Sequence, residues 1–190
     1  DALMSFLNKK YYISLLNAAS FYGASHQRAQ TFSVMTEAPK LRNTAKTGSS
    51  ILFFSKKNIP EKYIRSHKAQ SGYVNVASPE LTALDLIENE KHIGGLNRVC
   101  TVLNELVDSI DFDKLNKDFF DLAPTPIYQR LGYILESVLE REDLADKFKS
   151  KFPLSLAMRN VPFKIGKSTE DCEIDKKWKI IINQEIEIDE

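Results

Sequence analysis

Gly72-Tyr-Val-Asn-Val-Ala-Ser78-Pro79-Glu80-Leu-Thr-Ala-Leu-Asp85-Leu86 reads as a short strand that turns directly into a helix. Val74 and Val76 fall on one strand face by the period of two. Ser78 then offers a side-chain oxygen to the free N–H groups of a helix start. Pro79 suits the first helical position, and Glu80 sits against the positive end of the helix dipole. A strand feeding straight into a capped helix puts both kinds of element into one folding unit.

Upstream of this tract, Tyr11–Tyr22 carries apolar residues at 12, 15, 16, 19 and 22, which predicts a helix, and Gly23 suits a left-handed helix end. Thr31–Thr36 predicts a strand with Phe32 and Val34 on one face. Residues 37–50 read as a loop holding Pro39 and Gly48, and Ile51–Phe54 as a buried strand stopped by Lys56, Lys57 and Pro60. Tyr63–Ala69 and Tyr73–Ala77 flank Gln70, Ser71 and Gly72, a hairpin pattern. Ala2, Leu3, Phe6 and Leu7 predict a helix at the start. With Asp1 in place of methionine, we expect the natural protein to extend further towards its N-terminus.

Downstream, Gly94 and Gly95 break the chain before Leu96–Ile110, the clearest helical pattern, with Leu96, Val99, Leu103 and Leu106 nearly in register. Asp111 suits the cap of a further helix through Leu122, ended by Pro124 and Pro126. Ile127–Arg141 and Asp143–Phe152 predict two more helices. Trp178–Ile182 predicts a late strand, and Glu185-Ile-Glu-Ile188 alternates after it. The order of elements gives an α+β fold: a mixed sheet from residues 31–77 packed with helices, a helical middle section and a late C-terminal strand returning to the sheet. We expect a single domain over 1–190, with sub-lobes at 1–122 and 123–190.

The chain of 190 residues has a formal net charge of zero, but the charge is split. Residues 1–70 hold 11 Lys and Arg against 3 Asp and Glu, whereas residues 71–146 hold 6 against 15. The basic third suits contact with phosphates, and Lys40, Arg42, Lys46, Lys56 and Lys57 are the candidate nucleic-acid backbone contacts. A solvated surface, or a match to the acidic third, explains the same split. No apolar run approaches the ~18 residues of a membrane span. Cys100 and Cys172 are far apart and form neither a zinc spacing nor a disulfide framework, which fits a reducing, cytoplasmic setting.

The histidines, His26, His67 and His92, lack partners at metal-ligand spacing, so no metal or cofactor is expected. There is no glycine-rich phosphate loop and no nucleophile elbow. A nuclease would want carboxylates and a lysine on adjacent strands, and Glu173-Ile-Asp175-Lys176 is the nearest approach. Tyr11, Tyr12, Phe21 and Tyr22 have core spacing rather than that of a base-stacking platform. Asp85 stands out because its helical neighbours are apolar; partial burial then demands a cation, and Arg98 and Arg130 are the candidates for a structural ion pair. A catalytic acid is the alternative role for Asp85.

Several segments, in order, resemble the C-terminal domain of the AbiEi family, the antitoxins and transcriptional repressors of bacterial AbiE (type IV) toxin–antitoxin systems. They are residues 11–27, Thr31–Thr36, Val74–Leu86, Gly94–Val99, Gln129–Glu136 and Lys177–Asn183. The resemblance implies a non-enzymatic cytoplasmic regulator in phage defence, partnered by a nucleotidyltransferase-like toxin. Promoter DNA would be read by a winged helix-turn-helix ahead of this domain and absent from this chain. The family brings no catalytic residues to transfer. Two other readings remain: a degenerate nuclease- or transferase-like enzyme, or a plain protein-interaction module.

Overall fold

The computed structural model describes residues 9–24, 31–46, 49–69 and 72–188. The helix expected from Ala2, Leu3, Phe6 and Leu7, the hairpin residues Gln70 and Ser71, and His26 lie outside them. The chain divides into two compact units, Asp1–Asp85 with Glu105–Ser109, and Leu86–Asn104 with Ile110–Glu190. The chain passes from the first to the second at Asp85–Leu86 and returns to the first for Glu105–Ser109.

The first unit is built on a mixed six-stranded sheet. Its strands are β1 (Tyr11–Ile13), β2 (Thr31–Glu37), β3 (Thr44–Lys46), β4 (Ser49–Lys56), β5 (Ile64–Ala69) and β6 (Gly72–Ala77), in the order β3-β4-β2-β1-β6-β5. β2 and β4 run parallel, Val34 opposite Phe53, and β5 and β6 form the expected antiparallel pair, Ile64 opposite Ala77. Alternation along these strands puts Tyr12, Met35 and Phe54 on one face and Tyr11, Val34 and Phe53 on the other. Tyr11, Val34 and Phe53 form a buried cluster closed by Leu41 and Ile51.

The helical pattern at Tyr11–Tyr22 divides differently from the expectation. Tyr11–Ile13 is a strand, antiparallel to β2 and parallel to β6, and the helix, α1, spans only Leu15–Phe21. The change of direction is made at Leu15, whose φ of 56° is left-handed although it carries a side chain. Ser14 is buried beside it, and its hydroxyl has no hydrogen-bond partner among the described residues. α1 ends where the sequence indicates: Gly23 has a φ of 79° and its N–H donates to Ser20 O.

The deciding tract folds as read. β6 ends at Ala77 and α2 spans Pro79–Glu88. The Leu81 N–H donates to Ser78 Oγ at 3.4 Å and the Thr82 N–H to Ser78 O at 2.8 Å, so Ser78 satisfies two groups of the helix start. α2 is buried on every side from Leu81 to Ile87. Each fully buried leucine in it contributes roughly 1.5–3 kcal/mol relative to exposure, enough to hold a helix that is too short to stand alone.

The second unit is mostly helical. It holds the start of α3 (Leu96–Leu106), α4 (Thr125–Tyr133), α5 (Glu142–Lys151) and a three-stranded sheet of β7 (Val161–Pro162), β8 (Ile174–Asp175) and β9 (Ile180–Ile181), ordered β7-β9-β8. The late strand therefore pairs in its own small sheet rather than returning to the large one. The helix expected from Asp111 to Leu122 is two 3-10 turns, Phe112–Lys114 and Lys117–Asp121; Asp111 caps the first by accepting from the Asp113 N–H. That break lets Phe112, Phe119 and Phe120 all turn into one aromatic cluster with Tyr128 and Phe148. α4 runs on into a π-helical turn, Ile134–Val138, which closes with the Leu139 N–H on Ile134 O. No helix among the described residues is long and apolar enough to cross a membrane.

Candidate functional site

The buried charge in the first unit gathers around Asp85. Two turns of α2 separate it from Ser78, which turns it onto the face of the sheet carrying Tyr12, Phe54 and Lys56. Asp85 is fully buried; its Oδ1 lies 3.0 Å from Lys56 Nζ, and its Oδ2 accepts from the Tyr12 hydroxyl at 2.9 Å. The Lys56 side chain is only 9% exposed. The carboxylate thus joins a helix to the first and fourth strands. It touches no open surface where a substrate could reach it, so the arrangement suits bracing rather than acid–base chemistry.

The cation is therefore neither Arg98 nor Arg130. Arg98 is half-buried in α3. Arg130 lies in α4 and donates Nε to the Pro162 and Phe163 carbonyls at 3.1 Å and Nη2 to Pro162 O at 2.8 Å. Burial pushes its pKa below the ordinary arginine value, with Glu90 opposing the shift. The sequence signal misled because helical spacing identifies a buried acid without identifying which strand end faces it. Lys56 closes an eight-residue strand whose partner is distant in sequence.

The same finding removes Lys56 from the exposed basic set. Lys40, Arg42 and Lys57 are exposed, and the Lys40 ammonium lies 5.7 Å from the centre of the Phe54 ring. Lys46 belongs to β3, and its side chain lies outside the description. On the opposite edge of the sheet, Arg65 and Lys68 of β5 are exposed as well. Of the aromatic set, Tyr11 and Tyr12 are core and Tyr22 is half-buried, whereas Phe21 is 36% exposed. The Tyr22 hydroxyl donates to Ala77 O, and burial pushes its pKa up to about 12. His67 packs its ring against Phe21 and Tyr22, and His92 is exposed.

In the second unit the polar side chains hold loops. Gln129 donates to the carbonyls of Arg159 and Trp178. Asn183 accepts from the Lys164 N–H and donates to the carbonyls of Lys164 and Lys167. Trp178 is fully buried, stacks on Phe148 and donates its indole N–H to Glu136, which also pairs with Lys177. Asp175, in the segment resembling a nuclease signature, accepts from the Trp178 N–H and stabilises the turn before β9. An open cavity of about 380 Å³ is lined by Lys167, Cys172, Ile182, Asn183, Gln184 and Glu185. Among the described residues no group of three or more His, Cys, Asp or Glu side chains is placed to hold a metal ion. Cys100 is buried, and its thiol is pushed up to about 12 by that burial.

Three comparisons bear on this architecture. The model of the AbiEi antitoxin C-terminal domain family matches residues 12–137. No curated protein matches. Among solved structures, the RV2827C protein from Mycobacterium tuberculosis is similar in fold, at 14% identity and a TM-score of 0.66 over 94% of this chain. This chain spans 64% of that protein's chain. An antigenic nucleotidyltransferase-like protein from Paracoccidioides brasiliensis aligns at 13% identity and a TM-score of 0.49, over 81% of this chain and 90% of its own. The family match takes in the six-stranded sheet apart from Tyr11, the capped α2 and the loop-tying Gln129 and Arg130. The chain belongs to the AbiEi antitoxin C-terminal domain family.

Proposed function

We propose that this chain is the effector domain of a bacterial AbiE-type toxin–antitoxin regulator, counteracting a nucleotidyltransferase-like toxin in the cytoplasm as part of phage defence. The observation that carries this reading is the family match across residues 12–137. In this reading the domain has no enzymatic activity of its own: its buried acid, Asp85, is committed to Lys56 and Tyr12. Repression belongs to the full-length protein, whose operator is read by a winged helix-turn-helix outside this chain. The exposed Lys40, Arg42 and Lys57, with Lys46, add contacts to the DNA backbone that carry no sequence information.

Growth tests the antitoxin half. A nucleotidyltransferase-like toxin encoded beside the gene is induced in a bacterial host, with and without the regulator containing this domain. We expect arrest with the toxin alone and restored growth when the two are expressed together. Continued arrest, with the regulator soluble and abundant, would remove the antitoxin reading.

A further inference from the structure

Among the described residues, the large sheet ends on an unpaired edge whose chemistry is complemented elsewhere in the same chain. β5 pairs with β6 alone among the described strands. The Ser78 N–H donates to Tyr63 O in the same register that sets Ile64 opposite Ala77. Hydrogen-bonded pairs alternate along an antiparallel ladder, so Arg65, His67 and Ala69 bond inward to β6. The backbone groups of Ile64, Ser66 and Lys68 point outward. Flanking them, Arg65 and Lys68 are exposed, with no acidic side chain within ion-pairing distance among the described residues. Such an edge is a template for one more strand, preferably an acidic one.

Gln184-Glu-Ile-Glu-Ile188 has that composition. It alternates acidic and β-branched residues, the pattern of a half-buried strand, and the sequence continues with Asp189 and Glu190. Yet it forms no strand, and from Gln184 to Ile188 its backbone makes no hydrogen bond to other described residues. Glu185 and Glu187 are exposed.

We infer that residues 184–188 of one copy add as an antiparallel strand to the β5 edge of a second copy. Setting Glu187 opposite Arg65 places Glu185 beside His67 on the same face. Ile188 then meets Ile64, Ile186 meets Ser66 and Gln184 meets Lys68 on the other face, so the register makes one charge pair, Glu187 with Arg65, and one aliphatic pair, Ile188 with Ile64. One added strand buries less than the ~1,200 Å² of a standard interface, so the association is weak and salt-sensitive.

Sedimentation velocity over a concentration series tests this on the intact chain. The wild type is expected to self-associate at low salt and to dissociate as salt rises. Ser66→Pro deletes an outward N–H at an edge position that tolerates proline, and should abolish association while the melting transition is retained. Arg65→Glu and Glu187→Arg should each weaken it about tenfold by turning an attraction into a repulsion. The two together should restore it, which also covers the case in which Ser66→Pro misfolds. A chain that stays monomeric throughout overturns the inference. So does association that ignores the charge reversals, or single reversals that the double variant does not rescue.

Discussion

Asp85→Ala is expected to lower the stability of the first unit by about 3–5 kcal/mol, because it takes away the carboxylate that lies 3.0 Å from the buried Lys56 ammonium. The Tyr12 hydroxyl loses its acceptor in the same step. A loss of that size moves the melting midpoint by on the order of 10 °C in a chain of this length. The effect belongs to the pair rather than to the acid alone, so Lys56→Met in the Asp85→Ala background should recover much of the loss by removing the ammonium that faced the lost carboxylate. Thermal melts of the single and double variants decide the matter. A single variant that melts within about 1 °C of wild type contradicts the buried pair, and a double variant no better than the single contradicts its identity.

Gly132→Ala is the second substitution with a large expected effect. A methyl group built on Gly132 would lie 2.2–2.3 Å from three carbon atoms of the Trp178 ring, inside any tolerable contact. Gly132 stands in a helix, so backbone conformation is not what requires the glycine; the indole lying on it is. To accept the methyl, Trp178 must leave its stack on Phe148 and its hydrogen bond to Glu136. Overpacking of this kind costs roughly 3 kcal/mol or more where the neighbour is rigid. Trp178 is the only tryptophan, so its fluorescence reads the event directly. We expect a red-shifted emission maximum and an earlier unfolding transition. An unchanged spectrum and midpoint would show that the indole has room to move.

Local chemistry was legible where one residue type does one job. Ser78 and Pro79 marked the start of α2, Gly23 marked the end of α1, and the alternation around Gly72 marked the β5–β6 hairpin. What escaped the sequence was long-range pairing. Tyr11–Ile13 satisfied a helical spacing because three apolar residues next to a helix fit both periods. The break at Leu15 rests on a left-handed conformation that a leucine does not advertise. Ile180 and Ile181 announced a strand but not which sheet would take it. Likewise Asp85 announced a buried acid, while its lysine, 29 positions earlier, was counted as surface charge. Gln129 and Gly132 entered only through resemblance, and Arg130 otherwise only as a partner for Asp85; their work, tying loops and seating Trp178, depends on contacts to residues 159–178 that spacing does not encode.

The central claim is a division of labour, with operator reading outside this chain and effector action within it. The backbone contacts proposed for Lys40, Arg42, Lys46 and Lys57 would discriminate no sequence and weaken steeply with salt. The most direct measurement is a binding titration of residues 1–190 and of the full-length protein, each on operator and scrambled duplexes, at low and physiological salt. We expect the isolated domain to bind both duplexes weakly and equally, losing them as salt rises, while the full-length protein prefers its operator. A clear operator preference by residues 1–190 alone would contradict the account and place the DNA-reading surface in the first unit.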